Sequence, residues 1–227
     1  MHSNDSQLDT QSAPKRYDVA AILIGTSLVG IIATPWYAIE TGGFGLSLWL
    51  AFSLFLFWNG LSITAGYHRL WSHKSYSAHT IVRIMFALGG ALALQNSIKV
   101  WTSNHRTHHQ YTDDNDKDPY SAGRGLWFSH VGWMLRDYPA SQTEFENVRD
   151  LEKDWVVAWQ HDNYWLLAFT MNVIVTLGIG ALAGDLLAGL LLVGFSRLVL
   201  SHHTTFFINS LAYFLGGPSC SSTTGAR

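Results

Sequence analysis

The sequence predicts an all-α integral membrane protein, with four transmembrane helices and a cytosolic helical cap carrying clustered histidines. Three observations lead there. The 227-residue chain is 48% hydrophobic but only 13% charged, about half the charge of an average soluble domain. Three runs of 21 residues hold no charged residue at all. Ten of the 14 Lys and Arg fall in one stretch between the second and third of those runs.

The elements follow in chain order. Met1 to Ala13 is polar and lacks the basic-then-apolar order of a signal peptide, so residues 1–16 read as a polar cytoplasmic N-terminus. The first span is placed at about 19–39 and the second at 46–66. A helix rises about 1.5 Å per residue and the hydrocarbon is roughly 30 Å thick, so runs of this length suffice. Ile84 to Ile98 is apolar but short, with Arg83 before it and Lys99 after it. It suits a re-entrant or interfacial helix. Residues 110–154 are polar, and the acidic run Asp113, Asp114, Asp116 and Asp118 reads as a solvated loop without the spacing of an EF-hand. Thr143 to Trp159 reads as a cytoplasmic helix of mixed charge. The third span is placed at 163–183. Only Gly184 and Asp185 separate it from the fourth, at 186–208, so the two form a tight hairpin. Arg197 lies in the fourth span and is expected to snorkel to the interface.

Charge sets the topology. Lys15 and Arg16 precede the first span, the links at 40–45 and 184–185 carry no Lys or Arg, and residues 68–162 are basic. The positive-inside rule then places the N-terminus, the long stretch and the C-terminus in the cytoplasm. One cysteine, Cys220, excludes a disulfide scaffold, zinc fingers and CxxC redox chemistry. A net charge of -2 offers no field for nucleic acid.

The histidines carry the chemistry. His68-Arg-Leu-Trp-Ser-His73 and His105-Arg-Thr-His108-His109 form two clusters, both outside the apolar runs. Residues i, i+3 and i+4 share a helix face, so His105, His108 and His109 point one way. His68 and His73 are five apart and converge only where the helix ends or bends. Imidazole suits iron, zinc, copper or nickel. Five clustered ligands exceed what a single zinc needs and point to two metals. His2, His79 and His161 read as structural. His202 and His203, near a span end, are open between supporting the site and structure.

The residues that carry these clusters also resemble the membrane fatty acyl desaturases, in particular the acyl-CoA delta-9, stearoyl-CoA-like group. The matching stretches are Gly66-Tyr-His-Arg-Leu-Trp-Ser-His73, Gln95-Asn96, Asn104-His-Arg-Thr-His-His109, Asp118-Pro119, Phe128-Ser-His-Val-Gly-Trp-Met-Leu135 and Phe207-Ile-Asn-Ser210. They occur in family order over roughly residues 17–215, read as the desaturase domain. The resemblance implies two irons that use O2 to remove hydrogen from unactivated methylenes. It implies His68, His73, His105, His108 and His109 as iron ligands and Asn209 as a ligand through water. It places Gln95, Asn96, Trp101 and Arg136 near the substrate headgroup. It implies a long-chain acyl-CoA or lipid-linked acyl substrate, membrane lipid, and an electron donor, either a ferredoxin or a b-type cytochrome with its reductase.

Two departures from the family pattern stand out. Tyr213 occupies a position where the family has a ligand histidine, and no H-N-x-H-H box follows before Arg227. Residues 216–227 read as a disordered, aberrant tail. The expectation is a truncated or frameshifted desaturase with impaired activity. The alternatives are a membrane di-iron acyl hydroxylase and a non-catalytic histidine-rich metal-binding membrane protein. A metal transporter would place its ligands at mid-membrane on the spans, which these clusters do not.

Overall fold

The charge-free runs become long helices in the computed structural model, which describes residues 13–142, 145–212 and 215. Helix α1 (Tyr17–Thr41) and α2 (Leu46–Ser72) come first. Then α3 (Thr80–Ala93) and α4 (Ile98–Gln110) follow, bent by 80° at the break between them. A short α5 (Leu126–His130) and α6 (Trp155–Asp162) precede α7 (Tyr164–Leu182) and α8 (Leu186–Ala212). Four of these, α1, α2, α7 and α8, are long and apolar enough to cross a membrane. The described residues form no strand; Lys15 and Arg136 make an isolated bridge. The expected tail at 216–227, Tyr213 and most of the N-terminal stretch lie outside the described residues.

The chain divides into two units. The larger comprises Ile22–Ser103 and Phe145–His202. Its core joins Tyr67, Leu70 and Trp71 of α2 with Phe86 and Ala87 of α3, Ile98, and Val156 and Val157 of α6. Gly89 and Gly90 allow that approach: a Cβ at Gly90 would overlap the Tyr67 ring, and one at Gly89 would overlap Ser62. The hairpin between α7 and α8 turns at Gly184, with φ +86, which glycine adopts freely. Asp185 then caps α8 by accepting from the Ala188 amide at 3.0 Å and from the Tyr37 hydroxyl at 2.9 Å.

Two expectations are corrected in this unit. Arg197 does not snorkel; it is fully buried. Its Nη1 donates to the Leu92 carbonyl at 2.8 Å, its Nη2 to Asn172 Oδ1 at 2.6 Å, and its Nε to the Val193 carbonyl at 3.1 Å. Asn172 Nδ2 reaches the Ala91 carbonyl at 3.3 Å, and His202 Nε2 the Ala93 carbonyl at 3.0 Å. Three consecutive carbonyls at the end of α3 thus meet side chains of α7 and α8; the Ala91 carbonyl also accepts the capping Leu94 amide at 3.2 Å. The mixed-charge helix expected at 143–159 is instead a 3-10 segment, Glu146–Lys153, kinked at Val148, followed by α6. Asp154 separates them, because its carboxylate takes the Val156 amide at 3.0 Å and starts a new helix there.

The smaller unit comprises Met1–Ala21, Asn104–Glu144 and His203–Arg227. Its apolar centre is Ala13, Phe128 and Tyr138, flanked by Trp133. The Arg124 guanidinium lies over the Phe128 ring at 3.6 Å and the Tyr138 ring at 4.7 Å. The segment at 13–16 is tied down by Arg16 N–H to the Leu135 carbonyl and Asp137 N–H to the Pro14 carbonyl, at 2.9 and 2.8 Å.

Candidate metal centre

In the larger unit, His68 and His73 meet through a change of helix type. Residues Ser62–Ser72 at the end of α2 are π-helical. The His73 amide donates to the His68 carbonyl at 3.0 Å, five residues back. An i→i+5 turn stacks residues five apart, which an α-turn does not, and π-turns are common at functional sites. The two rings lie 4.5 Å apart between centroids, and each offers a ring nitrogen within 4.8 Å of the other's. The helix end is held by the Tyr76 hydroxyl on the Ala65 carbonyl at 2.7 Å and by Trp71 Nε1 on Asp154 at 3.1 Å. Arg83 also pairs with Asp154.

The same unit holds three of the expected headgroup residues. Gln95 and Asn96 sit in the break between α3 and α4. Asn96 has φ +74, a conformation that L-residues adopt at a cost. Its amide donates to the Tyr164 hydroxyl at 2.9 Å, and its carbonyl accepts from the Tyr67 hydroxyl at 3.3 Å. Trp101 packs edge-on to Tyr67 and His68, at 5.8 and 6.5 Å between centroids.

In the smaller unit, α4 presents the second cluster. His105 and His109 approach through their Nε2 atoms at 3.1 Å. His108 stands 6.3 Å from His105 and 5.5 Å from His109 by ring centroids. Its Nδ1 contacts both oxygens of Asp118 at 2.9 Å. Tyr120 stacks on the His108 ring at 4.4 Å, and its hydroxyl lies 3.3 Å from His105 Nδ1. Asp118 is fully buried, so the expectation of a solvated acidic loop fails at this residue. Arg136 donates from Nη1 to the Ala13 carbonyl at 2.9 Å, which anchors the segment before α1. Asn209 lies in the closing π-turn of α8, Ile208–Ala212.

His130, His203 and Ser210 form another polar group there. His130 Nδ1 pairs with Ser210 Oγ at 2.9 Å and Nε2 with His203 Nδ1 at 3.2 Å. Burial, then the neighbouring His203, lowers the His130 pKa. Of the histidines read as structural, His79 caps α3 by accepting from the Ile81 amide and His161 Nδ1 meets Ser97 Oγ at 2.7 Å, while His2 lies outside the described residues.

Sequence reasoning missed Asp118, Tyr120 and Asn172. A signal existed for the first. Metal-binding histidines usually hand their second nitrogen to a carboxylate or carbonyl, and Asp118 follows His108 by only ten residues. The donor set itself fits a transition metal. It is imidazole nitrogen without thiolate, with a carboxylate behind one ring, as iron or zinc accepts.

Comparison with known proteins agrees with this chemistry. The family described as Fatty acid desaturase matches residues 44–217. Acyl-CoA desaturase 1 of Saccharomyces cerevisiae is 42% identical over 198 residues, 86% of this chain and 38% of that protein. A Delta(9)-fatty-acid desaturase of Caenorhabditis elegans is 37% identical over 173 residues, 73% of this chain and 50% of that protein. Stearoyl-CoA desaturase 4 of Mus musculus is 35% identical over 216 residues, 91% of this chain and 58% of that protein. The chain thus spans between about two-fifths and three-fifths of the length of these relatives. By the match across most of its length, the chain belongs to the fatty acid desaturase family.

Proposed function

We propose that the chain serves oxygen-dependent desaturation of a long-chain fatty acyl group at the delta-9 position, in unsaturated fatty acid synthesis. The observation that carries this reading is the pairing of histidines by two different devices, a π-turn for His68 and His73 and an i, i+3, i+4 face for His105, His108 and His109, within a family of acyl desaturases. These five side chains bind iron, and Asn209 contributes through water. When bound, two irons supply the activation of O2 that hydrogen removal from an unactivated methylene requires. Gln95, Asn96, Trp101 and Arg136 bind and orient the acyl thioester and its headgroup. The substrate is acyl-CoA or a lipid-linked acyl chain, and electrons come from a ferredoxin or b-type cytochrome with its reductase. The basic stretch at 68–162 keeps the histidines on the cytoplasmic side.

The test has two readouts. Iron content of the purified chain should fall when His68 or His105 is replaced by Ala. Lipid analysis, run on the chain extended through an H-N-x-H-H box and supplied with stearoyl-CoA, O2 and reductant, should find a cis double bond. A hydroxylated product would favour the hydroxylase reading. Histidine-bound metal with no oxidised product would favour a non-catalytic metal-binding protein, and no bound metal would refute all three readings.

A further inference from the structure

We propose that Asp118, assisted by Tyr120, is a positioning residue for metal binding: it holds His108 by Nδ1 so that Nε2 is the nitrogen offered to the metal. The inference rests on the metal reading above and deepens it.

The argument starts from donor and acceptor counting. A carboxylate only accepts, so a proton shared at 2.9 Å between Asp118 and His108 Nδ1 belongs to the ring nitrogen. In a neutral imidazole the lone pair then sits on Nε2. The carboxylate is fixed in turn. Its oxygens accept the Asp113 amide at 3.1 Å and the Tyr120 amide at 3.1 Å. It is fully buried, so water does not compete for it. Pro119 and Tyr120 continue the same turn, and the Tyr120 ring lies against His108 while its hydroxyl reaches His105. One short loop thereby braces two of the three histidines of α4 from behind. It also accounts for the Asp118-Pro119 stretch, which the charge pattern alone left as part of an acidic run.

The competing account is that Asp118 only pins its loop to α4. The two accounts separate in a double-mutant cycle. The metal-free chain, purified in detergent, is titrated with Co2+ while its visible absorption is followed. Asn at 118 can donate to Nδ1 and so permits the other tautomer. Asp118→Asn should weaken Co2+ binding by roughly 10–100-fold, the usual loss for such partners, and alter the absorption bands. In a His108→Ala background the same substitution should change the affinity less than about twofold, since Asp118 acts through His108. Equal losses in both backgrounds, or an unchanged affinity in the single variant, overturn the proposal. Should Asp118→Asn fail to fold, Tyr120→Phe removes one hydroxyl and reads the same brace through His105, with a several-fold loss expected and no change refuting it. A parent chain that binds no Co2+ would overturn the metal reading itself.

Discussion

Replacing Arg197 by Met pits two opposing energies against each other, and the structure decides between them. The substitution removes a buried guanidinium, which relieves a desolvation cost of several kcal/mol. It also removes the donors to the Leu92 carbonyl and to Asn172 Oδ1. Each buried acceptor left without a partner costs about 1–3 kcal/mol. The Val193 carbonyl counts for less, since it lies within the turns of α8 itself. One further contribution favours the native residue. The end of α3 carries about half a negative charge from its aligned peptides, which stabilises the guanidinium. The net cost is therefore placed at about 2–4 kcal/mol. For a chain of this size that corresponds to a fall in melting temperature of roughly 4–16 °C. The assay is tryptophan-fluorescence melting in detergent, with hydrogen exchange at residues 94–98 as a local readout. Arg197→Lys should lie between the two, because an ammonium serves one acceptor well but not both. An Arg197→Met variant that melts at or above the parent would refute the reasoning, and would mean that desolvation outweighs the capping of α3.

Other expectations follow from the same contacts. Gly90→Ala forces a methyl into the Tyr67 ring, which is itself held by Gln160 at 2.7 Å; destabilisation of about 1–3 kcal/mol is expected by denaturant titration. His161 is held neutral by burial, and Lys99 pushes its pKa the same way, so its folded value lies below 6.5. Its contribution is complete above that pH and is lost as pH falls below it; His161→Gln should flatten the decline in melting temperature between pH 7 and 5. Saturating Co2+ at 100 times its dissociation constant should stabilise the chain by about 2.7 kcal/mol, and His73→Ala should abolish most of that shift in a thermal assay.

The spans were legible because absence of charge over 21 residues is a local property, and the described helices end within about a turn of the expected bounds, except α2. There the helix continues to Ser72 because it widens to a π-turn. Spacing alone gives a pair five apart no common face, so the meeting of His68 and His73 was conditional on a bend that takes another form. The face shared by His105, His108 and His109 was legible from α-helical period. Asp118 was lost in a run of four aspartates because only loop closure onto α4 distinguishes the buried one. Arg197 was misread for a similar reason. Its neighbours in sequence are apolar, whereas the distant partners that solvate it are the Leu92 carbonyl of α3, over a hundred residues earlier, and Asn172 of α7. Asp154 defeated the helix expected at 143–159 because a side chain that competes for backbone amides begins a helix rather than continuing one.

The capping of α3 also orders events during synthesis. The Ala93 carbonyl and its His202 partner are 109 positions apart, and ribosomes add about 5–20 residues per second. The end of α3 therefore exists for roughly 5–20 s before its last cap has been made. In apolar surroundings bare carbonyls are costly, so during that interval the break at residues 94–97 is driven to stay with water or a chaperone. It settles once α7 and α8 arrive as a hairpin, so a pair of helices made later commits the earlier segment through α3 to its place.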